Sequence, residues 1–142
     1  MGDLVIDGGL RKLFRKNLPE FHWQSIETGG VGLGVPDSNF CRRGREGWIE
    51  FKQTSGWAVT LEPEQAAWLD RRARAGGRVW IAVRRWGKGP RRGTYDELWL
   101  IEGKHALAAR REGLRGTPGI VAVHAGGPAG WDWRRIAACL TA

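Results

Sequence analysis

Apolar residues spaced three and four positions apart predict a short helix near the start of the chain. Leu10, Leu13, Phe14 and Leu18 fall on one helical face, and basic residues occupy most positions between them. Pro19 follows directly and does not continue a helix. We therefore expect a helix over residues 10–18 that buries one face.

Apolar runs further along the chain predict a series of strands. The nearly continuous run Val79–Val83 is typical of a strand that is covered on both faces. A glycine-rich segment, residues 29–36, cannot sustain a helix or strand and is expected to be a loop. We expect strands at residues 21–27, 38–42, 47–53, 79–83, 95–101 and 120–123.

Capping signals place a second helix at residues 62–75. Pro63 suits its first turn, Glu62 and Glu64 favour its positive N-terminal end, and Gly76 follows its last turn. Two further helices are expected at residues 104–112 and 132–140. This order of elements, without a repeat or a linker, predicts one α/β domain over residues 1–142, with a central mixed sheet flanked by helices.

A polar turn at residues 43–46 separates two of the strands and predicts a hairpin with a four-residue loop. If Arg42 pairs with Gly47, Asp37 lies opposite Lys52. A slip of one residue would move Asp37 to the other face of the sheet. The hairpin register is therefore central to the chemistry that this segment can support.

Two acidic residues and one lysine give the hairpin a candidate catalytic face. Asp37, Glu50 and Lys52 share this face, whereas Ile49 and Phe51 point to the other side and enter the core. Two nearby carboxylates make an oxygen site suited to Mg²⁺, which stabilises charge on a phosphate and lowers the pKa of a bound water. Lys52 would hold the attacking water and steady the phosphate. The alternative is a turn aspartate followed by an ordinary exposed strand face.

The net charge favours an anionic polymer as the partner. The 142 residues include 23 Lys and Arg against 15 Asp and Glu, which gives a formal charge of +8. Nine tryptophans and many arginines are also what a GC-rich genome would produce. Composition alone therefore overstates nucleic-acid binding.

The motifs around the hairpin resemble those of the PD-(D/E)XK nuclease superfamily, within roughly residues 10–101. The matching segments are 34–37 (GVPD), 48–52 (WIEFK) and 63–65 (PEQ). The match is closest to small phage and archaeal Holliday junction resolvases and to the related VRR-type nuclease domains. The resemblance implies a restriction-endonuclease-like domain in which Asp37 and Glu50 bind Mg²⁺, with Mn²⁺ as a substitute, and Lys52 is the catalytic lysine.

The resemblance also implies a further acidic ligand upstream and a glutamine on the second helix. Glu27 is the favoured catalytic and metal-binding carboxylate because it ends the first strand, and Glu20 is its rival. Gln65 lies one turn before Leu69 and would reach the site. The alternative is that Gln65 only caps the helix after Pro63.

Basic residues cluster in two predicted loops and are expected to contact DNA phosphates. The candidates are Arg42, Arg43 and Arg45 at the hairpin tip, and Arg84, Arg85, Lys88, Arg91 and Arg92 in a loop over residues 84–93. The alternative for any one of them is an ordinary solvated surface. Trp57 and Trp86 lie beside basic residues and are candidates for stacking on unpaired bases.

Together these features predict a Mg²⁺-dependent DNA endonuclease that cleaves four-way junctions, a Holliday junction resolvase. One alternative is a nuclease of the same fold that processes flaps, nicks or mismatches. The other is a basic domain that binds DNA without cutting it.

A four-way junction has approximate two-fold symmetry whereas the chain offers one site, so we expect a homodimer. The interface is expected at residues 95–101 and at the segment that contains Trp131, Trp133, Ile136 and Leu140. The alternative is that this last segment caps the core of the monomer.

The remaining features concern the compartment. No apolar run approaches the roughly 20 residues of a membrane span, and the N-terminus lacks the pattern of a signal peptide. Cys41 and Cys139, with no CxxC pair, indicate neither a disulfide framework nor a zinc site. We expect a cytoplasmic protein of a bacterium or a phage-infected cell, with no membrane partner.

Overall fold

The described residues form a mixed sheet with helices on both faces. The computed structural model describes residues 7–27, 32–89 and 93–142. The strands are β1 (His22–Ser25), β2 (Ser38–Arg42), β3 (Arg45–Thr54), β4 (Val79–Gly89), β5 (Gly93–Glu102) and β6 (Ile120–His124). They follow chain order across the sheet, and each neighbouring pair is antiparallel except β3 and β4, which are parallel. The predicted α/β fold with a central mixed sheet is confirmed.

The helices divide between the two faces of the sheet. They are α1 (Leu10–Asn17), α2 (Pro63–Arg74), α3 (Ala106–Gly116) and α4 (Trp133–Leu140), with a short 3₁₀ turn at Gly103–His105 before α3. Phe14 of α1 and Ile136 of α4 are buried in one core, and Leu69 of α2 and Ala109 of α3 are buried in the other. Among the described residues, no helix is long and apolar enough to cross a lipid bilayer.

Strand β3 carries core residues on one face and candidate site residues on the other. Ile49 and Phe51 are fully buried in the core that contains α1 and α4. Glu50 and Lys52 point the other way, towards α2, because successive side chains of a strand alternate between faces. The parallel pairing of β3 with β4 requires a crossover connection, and α2 lies within it. This topology places α2 over the candidate catalytic face.

The hairpin between β2 and β3 is tighter than the sequence predicts. Arg43 and Gly44 alone form the turn, with φ of 50° and 78°, and Arg42 pairs with Arg45. Both central residues have the positive φ that a type I′ turn requires. The predicted four-residue loop is therefore wrong, and the register is shifted by two residues. Because an even shift keeps every side chain on its face, Asp37 stays on the expected side of the sheet.

The segment predicted as a basic loop is largely regular sheet. β4 and β5 continue beyond their predicted ends and pair as far as Gly89 opposite Gly93. Arg84 and Arg85 interrupt the apolar pattern of β4, but each forms an ion pair with an acidic residue of β5. We refer to residues 84–89 and 93–97 as the β4–β5 arm.

The side chains expected at a dimer interface are taken up within the chain. β5 lies between β4 and β6 in the sheet. Trp131, Ile136 and Leu140 are at most 4% exposed, in the core beside α1, and Trp133 packs against that core. The alternative for the C-terminal segment, that it caps the core of the monomer, is therefore confirmed, while a role for residues 95–101 in an interface stays a prediction.

Candidate active site

Reciprocal backbone hydrogen bonds hold Asp37 and Glu50 beside each other. Asp37 directly precedes β2, and Glu50 lies in the middle of β3. The N–H of Asp37 donates to Oε1 of Glu50 at 3.2 Å, and the N–H of Phe51 donates to Oδ2 of Asp37 at 3.2 Å. The structure thus brings the two predicted carboxylates together in a fixed arrangement.

Lys52 lies next to the second of these carboxylates. Its Nζ is 3.5 Å from Oε2 of Glu50. Glu50 is 2% exposed and Lys52 is 8% exposed, so this ion pair is shielded from bulk water. An ammonium group that is buried against a carboxylate has few orientations open to it. The three predicted catalytic residues therefore form one cluster on the face beneath α2, in which Glu50 and Lys52 are buried and Asp37 is half-buried.

Gln65 connects this cluster to the first turn of α2. Its Nε2 donates to Oε2 of Glu50 at 3.1 Å, while its Oε1 accepts the backbone N–H of Glu62 at 2.9 Å. The two roles that the sequence offered for Gln65, a contact in the site and a helix cap, are performed by one side chain. Gln65 thereby fixes the orientation of a candidate metal ligand.

A glycine allows the loop before β2 to pass close to α2. Gly34 has φ +89°, and a Cβ atom there would overlap the carbonyl oxygen of Glu64. A larger residue would therefore meet both backbone strain and a steric clash. This close passage places Asp37, just before β2, beside Glu50, whose carboxylate also accepts a hydrogen bond from Gln65.

Burial raises the pKa of both carboxyl groups. For Asp37 the backbone N–H of Phe51 and the charge of Lys52 oppose the increase but do not cancel it. Burial and then the charge of Asp37 raise the pKa of Glu50 to about 8, against the opposing effect of Lys52. The pair therefore retains a proton near neutral pH unless a cation takes its place.

A third carboxylate that the sequence analysis missed lies within electrostatic range of the pair. Asp7 is 7% exposed, just before α1, and its charge raises the pKa of Asp37. Glu27 and Glu20, the predicted upstream acids, are exposed and do not affect the pKa of Asp37 or of Glu50. Of these three acidic residues, Asp7 is thus the one whose charge acts on Asp37, and the choice of an upstream ligand stays a prediction.

The position of Asp7 follows from helix capping. Its Oδ1 accepts the N–H of Gly9 at 2.8 Å, and its Oδ2 accepts the N–H of Arg11 at 3.3 Å. Gly9 is the N-cap of α1, and Asp7 lies two residues before it; an aspartate close to the start of an apolar helical pattern is a common N-terminal signal. That signal could have identified the residue from sequence, although not its proximity to Asp37.

The donor set fits a hard divalent cation. Mg²⁺ in proteins is held by one or two carboxylates, with waters and phosphate oxygens completing its shell, and Asp37 and Glu50 supply such a pair. No group of three His, Cys, Asp or Glu side chains with metal-binding geometry occurs within residues 7–27, 32–89 and 93–142. A cation here would thus depend on ligands from water or substrate as well as from the protein.

The basic residues predicted to contact DNA differ in their availability. Arg43 and Arg45 are exposed at the β2–β3 turn, and Lys88 is exposed on the β4–β5 arm. The guanidinium of Arg42 lies 5.5 Å from the ring centre of Phe21 and is only partly exposed. Arg91 and Arg92 lie outside the described residues.

Arg84 and Arg85 are engaged inside the protein. Arg84 donates to both carboxylate oxygens of Asp96, at 2.9 and 2.7 Å, and to the carbonyl of Gly8 at 2.6 Å. Arg85 donates to the carbonyl of Gly56 at 2.8 Å and forms an ion pair with a glutamate of β5. Both guanidinium groups therefore hold the fold together, and their location in a strand contradicts the predicted phosphate-binding loop.

Trp57 is enclosed by cations and is not open to a base. The guanidinium carbons of Arg85 and Arg115 lie 3.7 and 3.9 Å from its ring centre. Two guanidinium groups this close to one ring must occupy opposite faces. The geometry is thus unfavourable for the stacking that the sequence suggested for Trp57. Trp86, the other candidate, is 36% exposed on the β4–β5 arm.

Comparison with known proteins adds no relative. No family model and no curated protein matches this chain. The resemblance to the PD-(D/E)XK superfamily therefore rests on the motif residues around Asp37, Glu50 and Lys52. The chemistry of these side chains is the basis for assigning a function.

Proposed function

We propose that this protein is a metal-dependent DNA endonuclease of the PD-(D/E)XK type that cleaves four-way junctions. The cluster of half-buried Asp37 with buried Glu50 and Lys52 is the observation that carries the proposal. Burying two acidic groups beside a lysine opposes folding, since each charge loses its hydration. Groups with strongly raised pKa values in such clusters are typical of functional sites rather than of ordinary strand faces.

Each member of the cluster has a role in phosphodiester hydrolysis. Asp37 and Glu50 would hold Mg²⁺ or Mn²⁺, which when bound lowers the pKa of a water and offsets charge on the scissile phosphate. The Lys52 ammonium, held by Glu50, is positioned to orient the attacking water and to offset the negative charge that develops on the phosphate. Gln65 acts through Glu50 and is a positioning residue.

The charge of the protein supports a polyanionic substrate. The formal net charge is +8, and Arg43, Arg45 and Lys88 are exposed. Exposed cations attract a phosphate backbone and increase the association rate. This argument favours DNA in general, and the choice of a four-way junction rests on the resemblance in the motifs.

Paired cuts in a junction would need two copies of the chain. We propose a homodimer that uses the outer edge of β6, because this strand lies at the edge of the sheet. Val121 and Val123 of β6 are 43% and 47% exposed, and the strand carries no acidic residue, lysine or arginine. Such an apolar edge is suited to pairing with another strand. Light scattering at micromolar concentration should give about twice the chain mass of 15.8 kDa.

A substrate panel tests the proposed activity. A labelled four-way junction, linear duplex, flap and single strand are each incubated with and without Mg²⁺. We expect metal-dependent cleavage that favours the junction, and Lys52→Ala should lower the rate by about a hundredfold or more while binding persists. Lys104→Ala is the matched control, because Lys104 is an exposed lysine that pairs with Glu102.

The outcomes separate the alternatives. Preferred cleavage of the flap would mean that the preferred substrate is a flap and not a four-way junction, with the same hydrolysis of a phosphodiester bond. Binding of every substrate without cleavage in Mg²⁺ or Mn²⁺ would indicate a non-catalytic DNA-binding domain. Normal cleavage by Lys52→Ala would refute the mechanism itself. Asp37→Asn tests the metal, since it preserves shape and removes one charge.

A further inference from the structure

Trp86 is an exposed aromatic side chain that is held in a fixed orientation on the β4–β5 arm. It is 36% exposed, yet its Nε1–H donates to Oε1 of Gln53 at 2.9 Å. The guanidinium carbon of Arg84 lies 3.5 Å from the ring centre and covers one face of the indole. The indole is therefore held by contacts at one face and at its N–H, while part of the ring remains exposed.

The support beneath the ring is itself rigid. Arg84 is 8% exposed, and its hydrogen bonds to Asp96 and to the carbonyl of Gly8 fix all parts of the guanidinium. In the part of the chain that the structure describes, no second guanidinium or aromatic ring stacks on Trp86. Trp86 differs in this from Trp57, because the guanidinium groups of Arg85 and Arg115 cover both faces of the Trp57 ring.

A shallow pocket of about 480 Å³ lies beside the exposed ring, within the size range of small-molecule pockets. Its lining residues are Trp86, Gly87, Lys88, Thr94, Tyr95 and Asp96. Trp86 pairs with Asp96 and Lys88 pairs with Thr94 across the arm, so these four side chains share one face. Because the charge of Asp96 is balanced by Arg84, Lys88 gives the pocket a positive character.

We propose that this face of the β4–β5 arm is a stacking site for a nucleobase of the DNA substrate. The base would stack on the outer face of Trp86, and Lys88 would contact a neighbouring phosphate. Stacking on a fixed indole needs no particular base, because every base has an aromatic face. The proposal rests on the proposed function in that the base belongs to the DNA that the nuclease cleaves.

This site is close to the catalytic cluster along the chain but lies on the other face of the sheet. Gln53, which holds the indole N–H, directly follows Lys52 in β3. Gly8, whose carbonyl binds Arg84, directly follows Asp7. Val83, the β4 partner of Lys52, is three residues before Trp86, which is about 10 Å of strand. Because three is an odd number of residues, the side chain of Trp86 points to the face of the sheet opposite to Glu50 and Lys52, as Gln53 does. DNA bound to both would therefore pass around the β4–β5 arm.

Binding to oligonucleotides with and without bases tests the proposal. Fluorescence anisotropy in EDTA measures affinity for a labelled oligothymidine and for an abasic oligomer with the same number of phosphates. We expect the wild-type protein to bind oligothymidine more tightly, and Trp86→Ala to weaken that binding about 5- to 150-fold while binding of the abasic oligomer is unchanged. Trp86→Phe should retain most of the affinity. Leu107→Ala removes exposed apolar surface elsewhere and should have no effect.

Equal binding of both oligomers by the wild-type protein would overturn the proposal without any variant. An equal loss for both oligomers in Trp86→Ala would also overturn it. These outcomes are separate from the failure of the nuclease function. If Lys52→Ala cleaves normally while the base preference depends on Trp86, the catalytic proposal fails and the stacking site stands. If Lys52→Ala is inactive while Trp86→Ala keeps the base preference, only the stacking site fails.

Discussion

The side-chain amide of Gln65 joins the carboxylate of Glu50 to the backbone of Glu62. Its nitrogen lies 3.1 Å from Oε2 of Glu50 and its oxygen lies 2.9 Å from the backbone nitrogen of Glu62. Rotating the amide by half a turn would break both hydrogen bonds. The start of α2 therefore helps to fix Oε2 of Glu50, while Oε1 accepts the N–H of Asp37.

Replacement of Gln65 should separate its two roles. We expect Gln65→Ala to lower kcat on a cleaved DNA substrate by about 10- to 100-fold, as for other residues that orient metal ligands, with little change in KM. Loss of the cap should also cost about 0.5–2 kcal/mol of stability. Gln65→Glu keeps an oxygen that accepts the N–H of Glu62, but its carboxylate repels that of Glu50. We expect this variant to have a melting temperature near that of the wild type at pH 5 and a lowered kcat. A wild-type kcat for Gln65→Ala would show that this contact has no part in catalysis.

The raised pKa of Glu50 predicts a protein that loses stability as the pH rises. The folded state binds its proton up to about pH 8, whereas the unfolded state releases it near the ordinary value of 4.5. The folded state therefore holds more protons between these values, and the free energy of unfolding decreases across that interval. Glu50→Gln stays neutral, so it should match the wild type at pH 4.5 and exceed it at pH 8 by on the order of a few kcal/mol.

Urea unfolding at the two pH values, followed by tryptophan fluorescence without metal, measures this difference. Glu112→Gln serves as the control, because that carboxylate is 48% exposed and its removal should not change the pH dependence in the same way. Parallel stability curves for the wild type and Glu50→Gln would contradict the burial of an ionisable group at this position.

The order of elements and the grouping of the candidate trio Asp37, Glu50 and Lys52 could be predicted because both follow from local patterns. The alternation of Ile49, Glu50, Phe51 and Lys52 determines which side chains face the core. The two-residue hairpin turn was harder to predict from the sequence, because Arg43 adopts a left-handed conformation that is rare for arginine. The predicted register was wrong by two residues, but a shift of two residues keeps each side chain on the same face of the sheet. The sequence therefore still placed Asp37 on the face of Glu50 and Lys52.

Contacts between distant segments account for the features that the sequence did not disclose. Arg84 pairs with Asp96, twelve residues later, and with Gly8, 76 residues earlier. The first contact balances the charge of an arginine within β4, and the second joins β4 to the segment that contains Asp7. Such pairings depend on the finished sheet and leave no periodic pattern in the residues themselves.

Gly34 should be the least replaceable glycine of the described loops near the site. Gly34→Ala combines a left-handed φ of +89° with overlap of the Glu64 carbonyl, whereas Gly44→Ala meets only a positive φ of +78° in open space. We expect Gly44→Ala to cost about 1–2 kcal/mol and Gly34→Ala to cost more and to slow cleavage. Gly56→Ala, with neither problem, is the control for urea unfolding. An equal cost for Gly34→Ala and Gly44→Ala would mean that the loop simply moves away from α2.

Asp7 and Glu27 make opposite predictions for metal affinity. Asp7→Asn preserves an oxygen for capping α1 but removes the charge that acts on Asp37, so we expect Mn²⁺ binding about tenfold weaker by calorimetry. Glu27→Gln removes an exposed charge that does not affect the pair and should leave the affinity unchanged. The reverse result would restore the residue that the sequence favoured.

Lys88 should contribute to DNA affinity through a phosphate contact, whereas Lys104 should not. Each is an exposed lysine, so Lys88→Gln and Lys104→Gln remove one charge apiece. The two lie near opposite ends of the β4–β5 pairing, since Lys88 pairs with Thr94 and Lys104 follows the pairing of Glu102 with Trp80. We expect Lys88→Gln to reduce the slope of log affinity against log salt concentration by about 0.9, the value for one phosphate contact on duplex DNA. Titrations of the junction in EDTA at several salt concentrations measure the slope. If both variants reduce it equally, only the net charge of the protein matters and the β4–β5 arm does not bind the substrate.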